Sequence, residues 1–60
     1  MPTDRLKLLR ILSKVDQSLA KTESVIEREQ TYDGWQAAIE TRGALEDVHT
    51  RAIEALKRMA

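Results

Sequence analysis

A chain of 60 residues has room for one domain, and because it contains no cysteine it has neither disulfides nor thiolate metal ligands. Ten basic residues balance ten acidic ones, so net charge favours neither nucleic acid nor an anionic membrane as a partner. No apolar run approaches the roughly 20 residues that cross a bilayer. The first residues do not begin a signal peptide, so we expect a cytoplasmic protein with no membrane partner.

The first half of the chain carries a seven-residue repeat of mostly apolar positions. Its members are separated alternately by four and three residues, which is the spacing that places side chains along one side of a helix. Neither glycine nor a second proline interrupts the pattern, so it predicts one helix over about residues 3–30. The repeat consists of Leu8, Leu12, Val15, Leu19, Thr22 and Ile26.

A turn is expected at residues 31–34, followed by a second helix over about residues 34–59. Asp33 is a suitable N-cap for that helix, and Gln36 three residues later completes a capping box. Gly43 inside the helix marks either a kink or a close helix crossing, and the residues leave both explanations open. The seam again advances by three and four residues: Trp35, Ala38, Arg42, Leu45, His49, Ala52, Leu56 and Met59.

Two long helices joined by a short turn predict an all-α antiparallel helical hairpin, with residues 1–60 as a single domain. In such a hairpin, residues whose numbers add up to about 64 lie at the same level. This register brings Arg42 within reach of Glu23 and Glu46. We therefore expect a polar layer within the seam, in which the arginine stem is buried and its head is paired.

One short hairpin leaves part of each apolar face in water, and both helices are apolar over more of their circumference than a single seam needs. We therefore expect a homodimer in which two hairpins form a four-helix bundle with coiled-coil packing.

The open end, residues 1–15 and 51–60, carries seven bases and two acids, a net charge of +5. The turn end, residues 16–50, carries a net charge of −5. Packing with the turns at opposite ends places each basic end beside an acidic end.

Glu46 and His49 have the Glu-x-x-His spacing found in carboxylate bundles that bind two metal ions. The register also places Asp16 near this pair. In a chain that is 33% charged, however, glutamate three residues before histidine is frequent by chance. We therefore favour a structural His49 with its ring partly buried, with Glu46 paired to Arg42, and predict no metal and no cofactor.

The chain offers no nucleophile with a matching base and no glycine-rich phosphate loop, so we do not expect an enzyme. We expect a small non-enzymatic regulatory protein that binds an unidentified protein partner through the surface of its dimer. One alternative is a small nucleic-acid-binding regulator that uses the basic open end, and another is the two-metal bundle with Glu46 and His49. The candidate partner-binding residues are Leu6, Leu9, Arg10, Lys14, Arg51 and Arg58.

Overall fold

The structure, a computed structural model, describes the backbone of residues 2–59 and the side chains of residues 4–59. Within that range it has two α-helices, α1 over Pro2–Arg28 and α2 over Tyr32–Met59. The helices pack against each other along a body of about 45 × 14 × 11 Å. The predicted all-α helical hairpin is confirmed.

The register of the hairpin follows the prediction closely. Glu23 contacts Arg42, and Asp16, farther from the turn, contacts His49. The residue numbers of both pairs add up to 65, against the expected value of about 64. The helices are therefore antiparallel, and the level of each side chain could be read from the sequence.

The turn is formed by residues 29–31 and not by residues 31–34, so α1 ends and α2 begins two residues earlier than expected. Glu29 is the physical reason. Its Oε1 accepts hydrogen bonds from the backbone N–H groups of Gln30 and Thr31, both at 3.2 Å, and from the Thr31 hydroxyl at 2.9 Å. These bonds lower the pKa of Glu29, with the Thr31 hydroxyl as the largest cause.

Thr31, and not Asp33, caps α2. The Thr31 hydroxyl accepts a hydrogen bond from the backbone N–H of Gly34 at 3.1 Å, three residues later, which is the geometry of an N-cap. The capping box expected from Asp33 and Gln36 is therefore wrong, and the Gln36 amide instead lies 3.5 Å from Oε1 of Glu40. Asp33 lies in the first turn of α2, where the helix dipole favours its negative charge.

The core of the hairpin is thin. Among the described side chains, only Val15, Ala38 and Ala52 are buried. The accessible surface is 4799 Å², whereas a compact monomer of 6.9 kDa would expose about 4000 Å². The excess of about 800 Å² reflects the elongated shape of two helices packed side by side. Most other positions of the two seams are half-buried: Leu8, Leu12, Leu19, Thr22, Ile26, Arg42, Leu45, His49 and Leu56.

Gly43 does not mark a close crossing of α1 and α2. A Cβ atom added there would meet nothing within 4 Å, and α2 continues through this position. Gly43 is exposed. Of the two explanations left open by the sequence, close approach of the two helices of one hairpin is therefore excluded.

Candidate functional site

The groove between α1 and α2 opens on two opposite faces of the hairpin, and their chemistry differs. Glu23 and Val25 mark the division, since residues two positions apart in a helix point about 160° away from each other around the helix axis. Glu23 meets Arg42 on one face. Val25 lies on the other face, where it lines an open trough together with Ala37 and Thr41 of α2.

The first face carries the ion pairs between the helices, and we call it the ion-pair face. Nη1 of Arg42 lies 3.3 Å from Oε1 of Glu23, and Nε of Arg42 lies 3.7 Å from Oε1 of Glu46. Nε2 of His49 lies 3.2 Å from Oδ1 of Asp16. The polar layer predicted around Arg42 is thus present. Positions seven residues away occupy the same face and add apolar side chains: Leu9, Trp35, Ile39 and Ile53.

The second face has an apolar centre and basic edges, and we call it the basic face. Its trough has a volume of about 290 Å³ and lies near the turn, between Lys21 and Val25 of α1 and small residues of α2. Steps of seven residues extend the face toward the open end. On α1 it comprises Asp4, Lys7, Ile11, Lys14, Ser18, Lys21 and Val25, and on α2 it comprises Ala37, Thr41, Ala44, Val48, Arg51, Ala55 and Arg58.

The charged residues of the basic face are bases, with the exception of Asp4 at its open end. Lys7, Lys14 and Lys21 follow one another at seven-residue intervals along the outer edge of α1, and all three are exposed. Within the part of the chain that the structure describes, none of them forms an ion pair. Nη2 of Arg51, on the edge of α2, lies 3.3 Å from Oδ2 of Asp47, which belongs to the outer side of that helix. The edge of the face on α1 is therefore positively charged from Lys7 to Lys21.

The six partner-binding residues predicted from the sequence are all exposed, but the hairpin distributes them over several sides. Lys14 and Arg51 lie on the basic face at a similar level. Leu9 lies on the ion-pair face and is 45% exposed. Arg58 lies one step of seven beyond Arg51, at the open end of the basic face, whereas Leu6 and Arg10 lie on the outer side of α1.

The side chains of the Glu-x-x-His motif do not converge in one hairpin. Glu46 is drawn to Arg42, and His49 faces Asp16. Over the described residues, no three acidic or histidine side chains are grouped so as to hold a metal ion. One hairpin thus brings together a single carboxylate and a single imidazole, and a two-metal site would need further ligands from a second copy.

The two aromatic residues lie beside the turn, on the side of the ion-pair face. The ring centroids of Tyr32 and Trp35 are 6.0 Å apart and the rings are tilted by 37°. Both are exposed, Tyr32 at 73% and Trp35 at 39%. The basic face contains no aromatic residue among the positions that define it.

Neither α1 nor α2 has, over its described residues, an apolar stretch that would cross a bilayer. The chain matches no protein-family model, no curated protein and no solved structure.

Proposed function

We propose that the protein is a small non-enzymatic regulatory protein that acts by binding: two hairpins form a homodimer, and the dimer binds a protein partner. The observation behind this function is the uncovered apolar surface. Ile11, Val25, Val48 and Leu9 are between 39% and 45% exposed in the single hairpin. A chain this short has little core of its own, so covering such side chains with another chain stabilises it.

The ion-pair face is the better candidate for contact between two copies. A two-fold interface uses the same patch twice, so the patch must be complementary to itself. The ion-pair face supports contact between two copies because it carries charges of both signs, with Arg42 beside Glu23 and Glu46. It also carries the exposed apolar side chains of Leu9 and Trp35. The basic face is a poorer candidate, since two copies of it would bring mainly bases together.

Charge also favours one orientation of the two copies. With the turns at opposite ends, the open end of each hairpin, with a net charge of +5, lies beside the turn end of the other, with −5. An exposed ion pair contributes only about 0–1 kcal/mol. Because all of these pairs favour the same orientation, their sum distinguishes two otherwise similar packings.

Light scattering coupled to size exclusion tests the dimer, and at micromolar concentration we expect about twice the chain mass. Leu9→Glu should give a monomer, because it places a charge among the exposed apolar side chains of the ion-pair face. Ile11→Glu is the matched control: it lies on the same helix at nearly the same exposure, 42% against 45%, but on the basic face. A fully folded wild-type monomer, or equal effects of the two substitutions, would contradict the proposed dimer.

A further inference from the structure

We propose that the basic face docks an acidic amphipathic helix of the protein partner. This inference rests on the binding function proposed above and specifies the chemistry of the partner. The face joins two features that such a helix requires: an apolar groove between two parallel edges, and positive charge along one of those edges.

The groove suits a third helix in its shape. Small residues of α2, among them Gly34, Ala37 and Thr41, line the trough opposite Val25. Their short side chains leave room for another helix to approach on that side. A helix laid along the groove contacts both α1 and α2, and the apolar side chains of Ile11 and Val48 farther along remain exposed to receive it. Docking therefore completes a three-helix arrangement and covers apolar surface that the hairpin alone leaves in water.

The charges define the composition of that helix. Lys7, Lys14 and Lys21 stand about 10 Å apart, one for every two helical turns. In a partner helix packed beside α1, the positions that flank its apolar stripe also recur every seven residues. An acid at every seventh residue of that helix would therefore lie beside each of the three lysines in turn. Within the described residues these lysines have no acidic partner on their own chain. The complementary partner has an apolar stripe flanked by glutamate or aspartate.

Three other occupants fit the basic face less well. A second copy would bring lysines against bases, since Asp4 at the open end is the only acid among the residues that define the face. A membrane-binding face uses large apolar and aromatic residues, whereas Tyr32 and Trp35 lie beside the turn on the side of the ion-pair face. A nucleic acid would satisfy the lysines but would leave the apolar centre, at Ile11 and Val48, uncovered.

Binding of a designed peptide tests the inference. The probe is a fluorescein-labelled helix of three heptads with leucine at the two core positions and glutamate at the flanking positions, and the comparison peptide has lysine in place of every glutamate. By fluorescence anisotropy, we expect the glutamate peptide to bind at least about tenfold more tightly than the lysine peptide. Raising the salt from about 50 mM to about 300 mM should weaken this binding.

The decisive variant reverses the lysine row: Lys7→Glu, Lys14→Glu and Lys21→Glu together. It should weaken binding of the glutamate peptide at least about tenfold. The matched control makes the same change in net charge at exposed bases outside the basic face, namely Arg5→Glu, Arg10→Glu and Lys57→Glu. Arg10 is among the partner-binding residues predicted from the sequence, but it lies on the outer side of α1, so this variant should retain affinity for the peptide within about threefold. Circular dichroism must show the same helix content for both variants.

Equal losses of affinity in the two triple variants would overturn the inference, because the attraction would then depend on net charge alone. Tighter, lysine-dependent binding to phosphatidylglycerol vesicles or to labelled RNA than to the peptide would also overturn it, in favour of a membrane or nucleic-acid partner. Light scattering on the same samples separates the two proposals. A protein that forms the dimer but does not bind the peptide would contradict only the proposed docking of an acidic helix. A monomer that binds the peptide would contradict only the proposed homodimer.

Discussion

Nε2 of His49 lies 3.2 Å from Oδ1 of Asp16, and this contact joins the middle of α1 to the middle of α2. The Asp16 side chain is 66% exposed and that of His49 is 32% exposed. A pair open to water in this way adds little to the free energy of unfolding, about 0–1 kcal/mol. Its main effect is on register: together with the Arg42–Glu23 pair it favours one alignment of the helices over shifted ones.

His49 is therefore expected to be structural. His49→Gln should leave the helix content unchanged and reduce the free energy of unfolding by no more than about 1 kcal/mol, because it removes one exposed pair. Urea unfolding followed by circular dichroism measures this. A melting temperature that rises with added Zn²⁺, and loses that rise in both His49→Ala and Glu46→Ala, would instead support a metal site.

Leu19 belongs to the seam that holds the hairpin together, and Leu19→Asp is expected to unfold it. Leu19 is half-buried, and removing a core leucine costs about 2–5 kcal/mol before the penalty of placing a charge there. Gln17→Asp is the control, because Gln17 is exposed on the outer side of the same helix. Thermal melts by circular dichroism should show a lost transition for the first variant only. An unchanged melt for Leu19→Asp would show that another stripe forms the core.

The hydrogen bonds that Glu29 accepts at the turn should make stability depend on pH. Because they lower the pKa of Glu29 in the folded state, the stabilisation is complete above the ordinary value of 4.5 and is lost as the pH falls through the lowered pKa. Stability should therefore decrease as the pH falls below 4.5 and through the lowered pKa of Glu29, and Glu29→Gln should decrease this dependence. Urea unfolding at several pH values, followed by the fluorescence of Trp35, provides the measurement.

Two further variants make the origin of this pH dependence specific. A Cβ atom at Gly34 would lie 2.6 Å from Oε1 of Glu29, so Gly34→Ala should displace the carboxylate and decrease the pH dependence as Glu29→Gln does. Glu27→Gln removes the same charge two residues away and should retain the wild-type pH dependence. Equal effects of the Glu27 and Glu29 substitutions would show that general charge, and not the turn, is responsible.

Gly43→Ala is expected to stabilise the hairpin. The new methyl group would meet nothing within 4 Å, and alanine is favoured over glycine inside a helix by about 1 kcal/mol. Urea unfolding should show this gain at dilute protein concentrations. A loss of stability that grows with protein concentration would mean that a second chain packs closely against Gly43.

The sequence was sufficient to predict the hairpin and its register but not the position of the turn. Both Thr31 and Asp33 are residue types that cap helices well. The choice between them depends on Glu29, whose carboxylate bonds to Thr31 through space. Such side-chain geometry has no periodic signal, whereas the seam and the Arg42–Glu23 pair follow directly from helical spacing.

The basic face is not apparent when the bases are grouped by their position along the hairpin axis, because it is defined by the side of the helix on which they lie. The seven-residue spacing of Lys7, Lys14 and Lys21 was visible in the sequence and places them along one side of α1. The structure adds that Lys21 and Val25 line the same trough as the small residues of α2, so the lysine edge of α1 and those residues border one groove. The grouping by chain end joined residues that lie on different sides of the molecule.

The orientation of the dimer is the remaining consequence of the charge distribution, and a nitroxide label at Tyr32 reports it. The residue is 73% exposed at the turn, and the chain contains no cysteine, so Tyr32→Cys gives one labelling site. With the turns at opposite ends of a body about 45 Å long, pulsed electron resonance should give a separation of about 40 Å. A label at Gln17→Cys, near the middle of α1, is the control, since its separation is similar in either orientation. Salt should weaken the dimer, because exposed charges are screened beyond about 10 Å at 0.1 M. A short distance between the labels at position 32 would refute this orientation and assign the charge asymmetry to attraction of an external acidic partner.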